Sequence, residues 1–143
     1  MLGQFSARGY GVNGVVLDTH TVIWYVCEPD KLGKTGAEVI DAAWSSGDFL
    51  YVSAISLVEI IYLEEKRRIP KGSIDAILEV LTNENGFVII PLDAVVAQAI
   101  QEIPRVDVPD MPDRIIAATA IHLNLPLISR DKKIRSSKVK TVW

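Results

Sequence analysis

The sequence predicts an α/β fold in which a mostly parallel sheet of four to five strands lies between two layers of helices. Short apolar runs, typical of strands buried on both faces, alternate with longer segments that carry apolar residues every three or four positions. The chain has 143 residues, 49% of them hydrophobic, which is the size and composition of one ordinary globular domain.

The apolar runs and the helical segments divide the chain in order. Strands are predicted at 15–17, 49–53, 87–91 and 125–129, with a fifth at 139–143. Helical spacing covers a segment beginning at Asp18 and residues 34–46, 54–68, 73–82, 93–100 and 113–124. This alternation favours a three-layer α/β/α arrangement with right-handed crossovers between parallel strands.

The N-terminal segment 1–14, MLGQFSARGYGVNG, is rich in glycine and has no apolar periodicity. We therefore expect a flexible extension ahead of a single domain at 15–143. The single Cys27 cannot form an internal disulfide, and no Cys/His cluster has the spacing of a zinc site. No apolar run approaches the roughly 18 residues of a membrane span. These features favour a cytoplasmic protein without a membrane partner.

The net charge of −3 is not typical of a nucleic-acid-binding protein, which usually carries excess lysine and arginine. The basic side chains are instead concentrated in two segments, 66–71 and 130–140. Each segment is suited either to contact phosphate groups or to form ordinary solvated surface. Composition therefore leaves a nucleic-acid partner open.

Carboxylates follow the ends of the predicted strands, where parallel sheets bind their ligands. Asp18 follows the first strand, Glu59 lies early in the helix after the second, and Asp131 follows the fourth. Asp110 and Asp113 begin a later helix, and a helix N-terminus favours negative charge. The first three acids are therefore expected at one edge of the sheet, with the other two as candidates to join them.

These acids also have ordinary structural explanations. Asp18 and Asp110 suit helix N-caps, and Asp131 suits a turn. Ser56 and Glu59 match the Ser-x-x-Glu capping box. As a set, however, clustered like charges are destabilising unless a cation neutralises them, and a group of carboxylates without thiolates suits Mg²⁺ or Mn²⁺. Such an ion supports hydrolysis of a phosphodiester.

Four segments occur in a characteristic order between Val15 and Trp143: VVLDTHTVIWYV, VSAISLVEI, DMPDRIIAATAIHLNLPLISRD and VKTVW. Together they resemble the PIN-domain ribonucleases, in particular the VapC-like toxins of bacterial and archaeal toxin–antitoxin pairs. The resemblance implies a PIN-like fold and endonucleolytic cleavage of RNA with Mg²⁺ or Mn²⁺. It also implies a cognate antitoxin as a protein partner, and a homodimer.

The resemblance further implies which residues form the acidic centre. The implied metal ligands are Asp18, Glu59, Asp113 and Asp131. In the family, the acid immediately before the arginine of a stretch like DMPDR belongs to the centre, so Asp110 is expected to cap the helix or to lie behind the ligands. The hydroxyls of Thr19 and Ser129 are candidates to support the ligands, although a turn or capping hydrogen bond suits each equally well.

Four side chains near these motifs have other expected roles. Trp24 and Trp44 lie at helical apolar spacing and are expected in the core. His20 is expected to be packed or hydrogen-bonded rather than to act as a base. Arg114 suits either a phosphate contact or a pair with a neighbouring acid.

Four other classes of protein place acids in a similar pattern. A PIN nuclease of RNA processing, without an antitoxin, has the same motifs, as does a PIN-like domain that has lost catalysis and acts as a binding module. A receiver domain or a haloacid-dehalogenase-like phosphatase also has an acid after its first strand. The phosphatase requires a second Asp two residues later, where this chain has His20. The presence of all four acids argues against the inactive binding module. A short neighbouring gene for a DNA-binding antitoxin would distinguish the toxin from the nuclease of RNA processing.

Overall fold

A computed structural model describes residues 13–143 of the chain. Within them, five strands form one sheet: β1 (Gly14–Leu17), β2 (Phe49–Ser53), β3 (Phe87–Ile90), β4 (Leu127–Ile128) and β5 (Thr141–Val142). Every neighbouring pair is parallel, and the order across the sheet is β3-β2-β1-β4-β5. The parallel sheet predicted from the alternating pattern is confirmed, with the first strand of the chain at its centre.

Helices connect the strands. In the described range they are α1 (Thr19–Cys27), α2 (Lys34–Ser46), α3 (Ala54–Glu65), α4 (Ser73–Asn83), α5 (Ala94–Ala99), α6 (Met111–Leu123) and α7 (Lys132–Arg135). Short 3₁₀ turns lie at Pro29–Lys31 and Ile100–Glu102. None of these helices is long and apolar enough to cross a membrane.

Two cores form on opposite faces of the sheet, because successive strand residues point to opposite sides. Val15 and Leu17 of β1 pack with buried residues of α1, α2, α3 and α4. Val16 faces the other way and packs with residues of α6 and α7. All three β1 residues are buried, which explains why the strand has a continuous apolar sequence instead of an alternating one.

Several element ends differ from the prediction. Helix α3 ends at Glu65 instead of Arg68, because the chain turns at Arg67, which has a φ of 59°. Helix α6 begins at Met111 instead of Asp113, because Asp110 caps it. The short helix α7 was not predicted, and β4 covers only two residues of the predicted 125–129 strand.

The N-terminal end of the sheet and one predicted core residue add detail. Residues 1–12 of the predicted extension lie outside the described residues, and Gly14, its last residue, pairs with Phe49 in the sheet. Trp44 was predicted in the core and is 41% exposed. Its ring lies over Gly86, 2.9 Å from where a Cβ there would be, and therefore covers a turn instead of the sheet.

Trp143 packs the last strand against the helical layer that contains α1 and α2. Its ring lies edge-on to the Trp24 ring of α1, with centroids 5.6 Å apart. Beside α2, a Cβ added at Gly33 would lie 2.7 Å from the indole nitrogen of Trp143 and 2.8 Å from its carbonyl carbon. Only glycine therefore permits this approach, and the contact supports Trp24 from behind.

We expect Gly33→Ala to lower the free energy of unfolding by about 1–3 kcal/mol, the usual cost of overpacking, because the new methyl group displaces Trp143. Urea unfolding of the native chain and of Gly33→Ala measures this difference in free energy. In a Trp143→Ala background the indole is absent, and the same substitution should then cost less. An equal cost in both backgrounds would contradict this account of the contact.

Candidate metal centre

Five carboxylates line one open pocket of about 360 Å³ at the edge of the sheet where β1, β2 and β4 end: Asp18, Glu59, Asp110, Asp113 and Asp131. Three of them belong to segments that leave parallel strands, whose carboxyl ends share one edge. Asp110 and Asp113 come from the start of α6, which begins at the same edge. The structure thus brings together the acids that the sequence separates by more than a hundred positions.

Asp18 is buried at the centre of this edge and caps α1. One carboxylate oxygen accepts a hydrogen bond from the backbone N–H of Thr19 at 2.8 Å, and the other accepts from the hydroxyl of Ser129 at 2.6 Å. Burial raises the pKa of Asp18, and these two hydrogen bonds oppose the rise. Capping a helix and lining the pocket are therefore compatible roles for one carboxylate.

Glu59 is held by the Thr19 hydroxyl, and the capping box considered as an alternative role for it does not form. The N-cap of α3 is Ser53, which accepts from the N–H of Ile55, so Ser56 lies inside the helix. The Thr19 hydroxyl lies 2.9 Å from the Ser56 hydroxyl and 2.5 Å from a Glu59 carboxylate oxygen. Because a hydroxyl has one hydrogen, the consistent arrangement has Ser56 donating to Thr19 and Thr19 donating to Glu59.

The closest group of acids contains Glu59, Asp110 and Asp113. One carboxylate oxygen of each lies within 4.8 Å of the others. Asp110 also caps α6, since it accepts from the N–H of Asp113 at 3.1 Å. Asp18 and Asp131 line the same pocket outside this closest group. Asp110 therefore lies nearer the other acids than an ordinary cap would require.

The pKa of Asp113 is strongly raised in the pocket. Burial raises its pKa to about 8, with further contributions from the charges of Asp18, Asp110, Asp131 and Glu59. The pKa of Glu59 is also raised, mainly by burial, and the Thr19 hydrogen bond opposes that rise. Burial, with repulsion between the carboxylates added to it, thus opposes full ionisation of the pocket near neutral pH unless a cation is present.

Ser129 and Asp131 join the fourth strand to this site. Ser129 is fully buried, donates to Asp18, and accepts from the N–H of Asp131 at 3.0 Å. Asp131 caps α7, where it accepts from the N–H groups of Lys133 and Ile134. Ser129 therefore fixes the distance between two acids that belong to distant parts of the sequence.

An aromatic and cationic wall completes the pocket. His20 packs on Trp24, with ring centroids 5.4 Å apart, so the expected packing role of His20 agrees with its position. The guanidinium of Arg130 lies over the same indole, 4.6 Å from its centroid. In the sequence, Arg130 was only one member of a basic segment, although its place between Ser129 and Asp131 was a signal that it faces the pocket.

Two further residues have roles that the sequence did not indicate. Arg114 donates to the carbonyl oxygens of Ile100 and Ile103, so it binds the end of a 3₁₀ turn and neither expected partner. Ser56 supports Thr19 from inside the helix. Its spacing of three from Glu59 placed both on one helix face, which was the available signal.

Comparison with known proteins gives the family of the chain. A family model described as the PIN domain matches residues 15–139. The chain belongs to the PIN-domain family. Ribonuclease VapC22 of Mycobacterium tuberculosis (strain ATCC 25618 / H37Rv) is 31% identical over 134 residues, which cover 90% of this PIN-domain chain and 98% of that protein. The resemblance drawn from the four sequence segments is confirmed.

Solved structures share the fold of this PIN domain. VapBC2 from Rickettsia felis, bound to a DNA fragment from their promoter, gives a TM-score of 0.68 at 16% identity over 91% of this chain and 98% of that one. FitAB bound to an IR36 DNA fragment gives 0.56 at 23% identity, covering 90% and 93%. FitAcB from Neisseria gonorrhoeae gives 0.55 at 25% identity, covering 90% and 96%. The predicted PIN-like architecture is confirmed.

The raised pKa of Asp113 predicts that the metal-free protein loses stability as pH rises. In the unfolded chain Asp113 ionises near its ordinary pKa of 3.8, whereas in the folded chain it keeps its proton up to about 8. Between these values the folded state binds more protons, so this contribution is present below the lower pKa and lost as pH rises through the higher one. Asp113→Asn should therefore raise the melting temperature at pH above about 8 and change it little near pH 5.

Thermal unfolding with a chelator present measures this difference at both pH values. Asp41→Asn, an exposed acid on α2, is the matched control and should show no such pH dependence. An equal effect of Asp113→Asn at both pH values would be incompatible with a raised pKa of Asp113 in the folded chain.

Proposed function

We propose that this PIN domain is a divalent-metal-dependent endoribonuclease and the toxin of a toxin–antitoxin pair. The observation that carries the proposal is the convergence of five carboxylates from four separate segments into one open pocket. The proposed ligands of Mg²⁺ or Mn²⁺ are Asp18, Glu59, Asp113 and Asp131. The 31% identity to a protein named as a ribonuclease supports RNA as the substrate.

The side chains present suit a hard divalent cation. Carboxylate oxygens are the preferred ligands of Mg²⁺ and Mn²⁺, and the described part of the pocket offers no thiolate. When bound, such an ion supplies a more acidic water and neutralises charge on the leaving oxygen. Thr19 orients Glu59, and Ser129 orients Asp18. Asp110 adds a carboxylate oxygen within 4.8 Å of carboxylate oxygens of Glu59 and Asp113. We propose that it would accept a hydrogen bond from a water molecule at the centre.

The proposal predicts metal-dependent cleavage of RNA that depends on these acids. Asp18→Asn and Asp113→Asn should each lose more than about 100-fold in cleavage rate, because loss of a group that only supports a ligand already costs about 10- to 100-fold. Ser129→Ala should fall in that smaller range. Gel analysis of labelled RNA with Mn²⁺, Mg²⁺ or a chelator measures the rates.

Asp41→Asn again serves as the control, since it removes an exposed acid outside the pocket and should leave the rate unchanged. Cleavage that persists in the chelator, or that is equal in the native chain and both pocket variants, would exclude this mechanism.

An apolar groove beside the pocket is the proposed antitoxin site. The groove has a volume of about 370 Å³ and shares His20 and Glu59 with the acidic pocket. The exposed side chains of Val58, Tyr62 and Met111 line it. An amphipathic segment of an antitoxin that buried these side chains would also cover the adjacent acids. The groove therefore supports a partner that inhibits by covering the site.

We further propose a homodimer and a cytoplasmic location. Trp44 on α2 and Ile61 on α3 are exposed apolar side chains that self-association would bury. Cys27 is free and exposed, as expected for a protein of a reducing compartment. A cytoplasmic location would also place the protein with its proposed RNA substrate and antitoxin.

Tyr62→Glu should weaken the antitoxin complex at least about tenfold, because it puts a charge into the apolar groove, while metal-dependent RNA cleavage is retained. Co-expression with the product of a short neighbouring gene, followed by light scattering, measures complex formation and the mass of the free chain. Val95→Glu places the same charge on α5, away from the groove, and should not affect the complex. Equal complex formation by both variants would remove the groove as the antitoxin site.

A further inference from the structure

The acidic pocket has one permanent positive charge among its described lining residues, and that charge belongs to Arg130. Five carboxylates in the same wall repel the phosphates of any nucleic-acid strand that approaches. A bound metal would offset part of this repulsion at the acids themselves. The position of Arg130 at the rim is therefore the place where this chain can attract a phosphate directly.

The guanidinium of Arg130 is held by an aromatic face and not by an acid. Its central carbon lies 4.6 Å from the centroid of the Trp24 ring. In residues 13–143 the ion pairs within 4.0 Å are Lys31 with Glu28 and Lys138 with Glu102, so Arg130 is in none of them, even though Asp131 is its neighbour in the chain. Its N–H donors also make no hydrogen bond within that range.

The Trp24 ring is a fixed platform for this cation. Trp24 is 7% exposed, and its ring contacts His20 on α1 and Trp143 at the end of the chain. The backbone on either side of Arg130 is also fixed, because Ser129 is bonded to Asp18 and Asp131 caps α7. Arg130 therefore has a set position even though its side chain is exposed to solvent.

Stacking of this kind restrains the plane of a guanidinium and leaves its edge free. The fork of N–H groups at that edge matches two oxygens of a phosphate, and a guanidinium gives up its hydration more easily than an ammonium group. An exposed cation–π contact contributes only about 0.5–1 kcal/mol. The indole therefore restrains the guanidinium but does not neutralise its positive charge.

We propose that Arg130 and Trp24 form a phosphate clamp, in which the indole holds the guanidinium and its free edge donates two hydrogen bonds to a phosphate of the RNA strand bound at the acidic pocket. The clamp rests on the proposed function, because it takes a phosphate of the same substrate. Its role is to bind and position the strand beside the acids.

Fluorescence anisotropy tests the clamp with a fluorescein-labelled single-stranded RNA of about 20 nucleotides that contains all four bases. All variants carry Asp113→Asn, which keeps the RNA intact. Arg130→Gln should weaken binding about fivefold or more at low salt and reduce the slope of log affinity against log salt by about 0.7, the value for one phosphate contact on a single strand. Arg130→Lys should retain the slope but lose part of the affinity, because lysine lacks the fork.

Lys140→Gln is the matched control for charge. Lys140 is exposed, and its carbonyl accepts from Leu127 at the start of β4, so it lies at the opposite edge of the sheet. The Lys140→Gln substitution should leave both the RNA affinity and the slope of log affinity against log salt unchanged. Trp24→Phe replaces the indole with a smaller ring and should also weaken RNA binding. This loss of affinity should be smaller when Arg130→Gln is already present, because the two side chains act together.

Two further measurements separate the clamp from folding and from the metal. Arg130→Gln, in the otherwise native chain, should keep the melting temperature and the affinity for Mn²⁺ measured by calorimetry. A loss of Mn²⁺ affinity would place the effect at the acids and overturn the clamp, as would equal RNA binding by Arg130→Gln and Lys140→Gln.

The outcome for the clamp is distinguishable from that for the nuclease. If the native chain cuts RNA with Mn²⁺ but Arg130→Gln binds RNA normally, only the clamp fails. If the native chain does not cut RNA but Arg130→Gln shows the predicted loss of binding, the clamp stands and the proposed nuclease fails. If the native chain does not bind the RNA at all, both fail.

Discussion

Repulsion among carboxylates is the constraint on which this site depends, and the parallel topology supplies part of the compensation. Each helix that follows a strand begins at the carboxyl edge of the sheet, so the positive ends of several helix dipoles point at the same place. Asp18 and Asp131 cap two of these helices, and Asp110 caps α6, which begins at the same edge; all three acids line the pocket. Hydroxyls of Thr19 and Ser129 add hydrogen bonds. The fold thus tolerates five acids together, but the pKa values of Asp18 and Glu59 stay raised, and that of Asp113 is raised to about 8.

Much of this arrangement could be predicted because it depends on local patterns. Continuous apolar runs identified buried parallel strands, and the topology then placed Asp18 and Asp131 at one edge. Capping and pocket roles appeared as alternatives in the sequence, whereas in the structure the same side chain performs both. A capping motif is therefore weak grounds for removing an acid from a candidate site when the capped helix begins at the carboxyl edge of a parallel sheet.

The remainder depends on contacts between distant segments and on exact helix starts. The capping box considered for Ser56 and Glu59 does not form, because Ser53, the last residue of β2, already caps α3 and Ser56 lies inside the helix. Periodicity gave Trp24 and Trp44 the same predicted burial, but only the position of each helix relative to the sheet separates the buried ring from the exposed one. The stacking of Arg130 on Trp24 joins opposite ends of the chain, and no local pattern reports it.

The strand order has a consequence for how the sheet folds. The central strand β1 pairs with β2 and also with β4, whose Leu127 lies more than a hundred residues after its partner Val16. Closing so long a loop costs conformational entropy before the new contact stabilises the sheet, and such non-local pairing slows folding. The hydrogen bond from Ser129 to Asp18 also joins residues more than a hundred positions apart. The contacts that group the acids therefore belong to the slow, long-range part of the folding reaction.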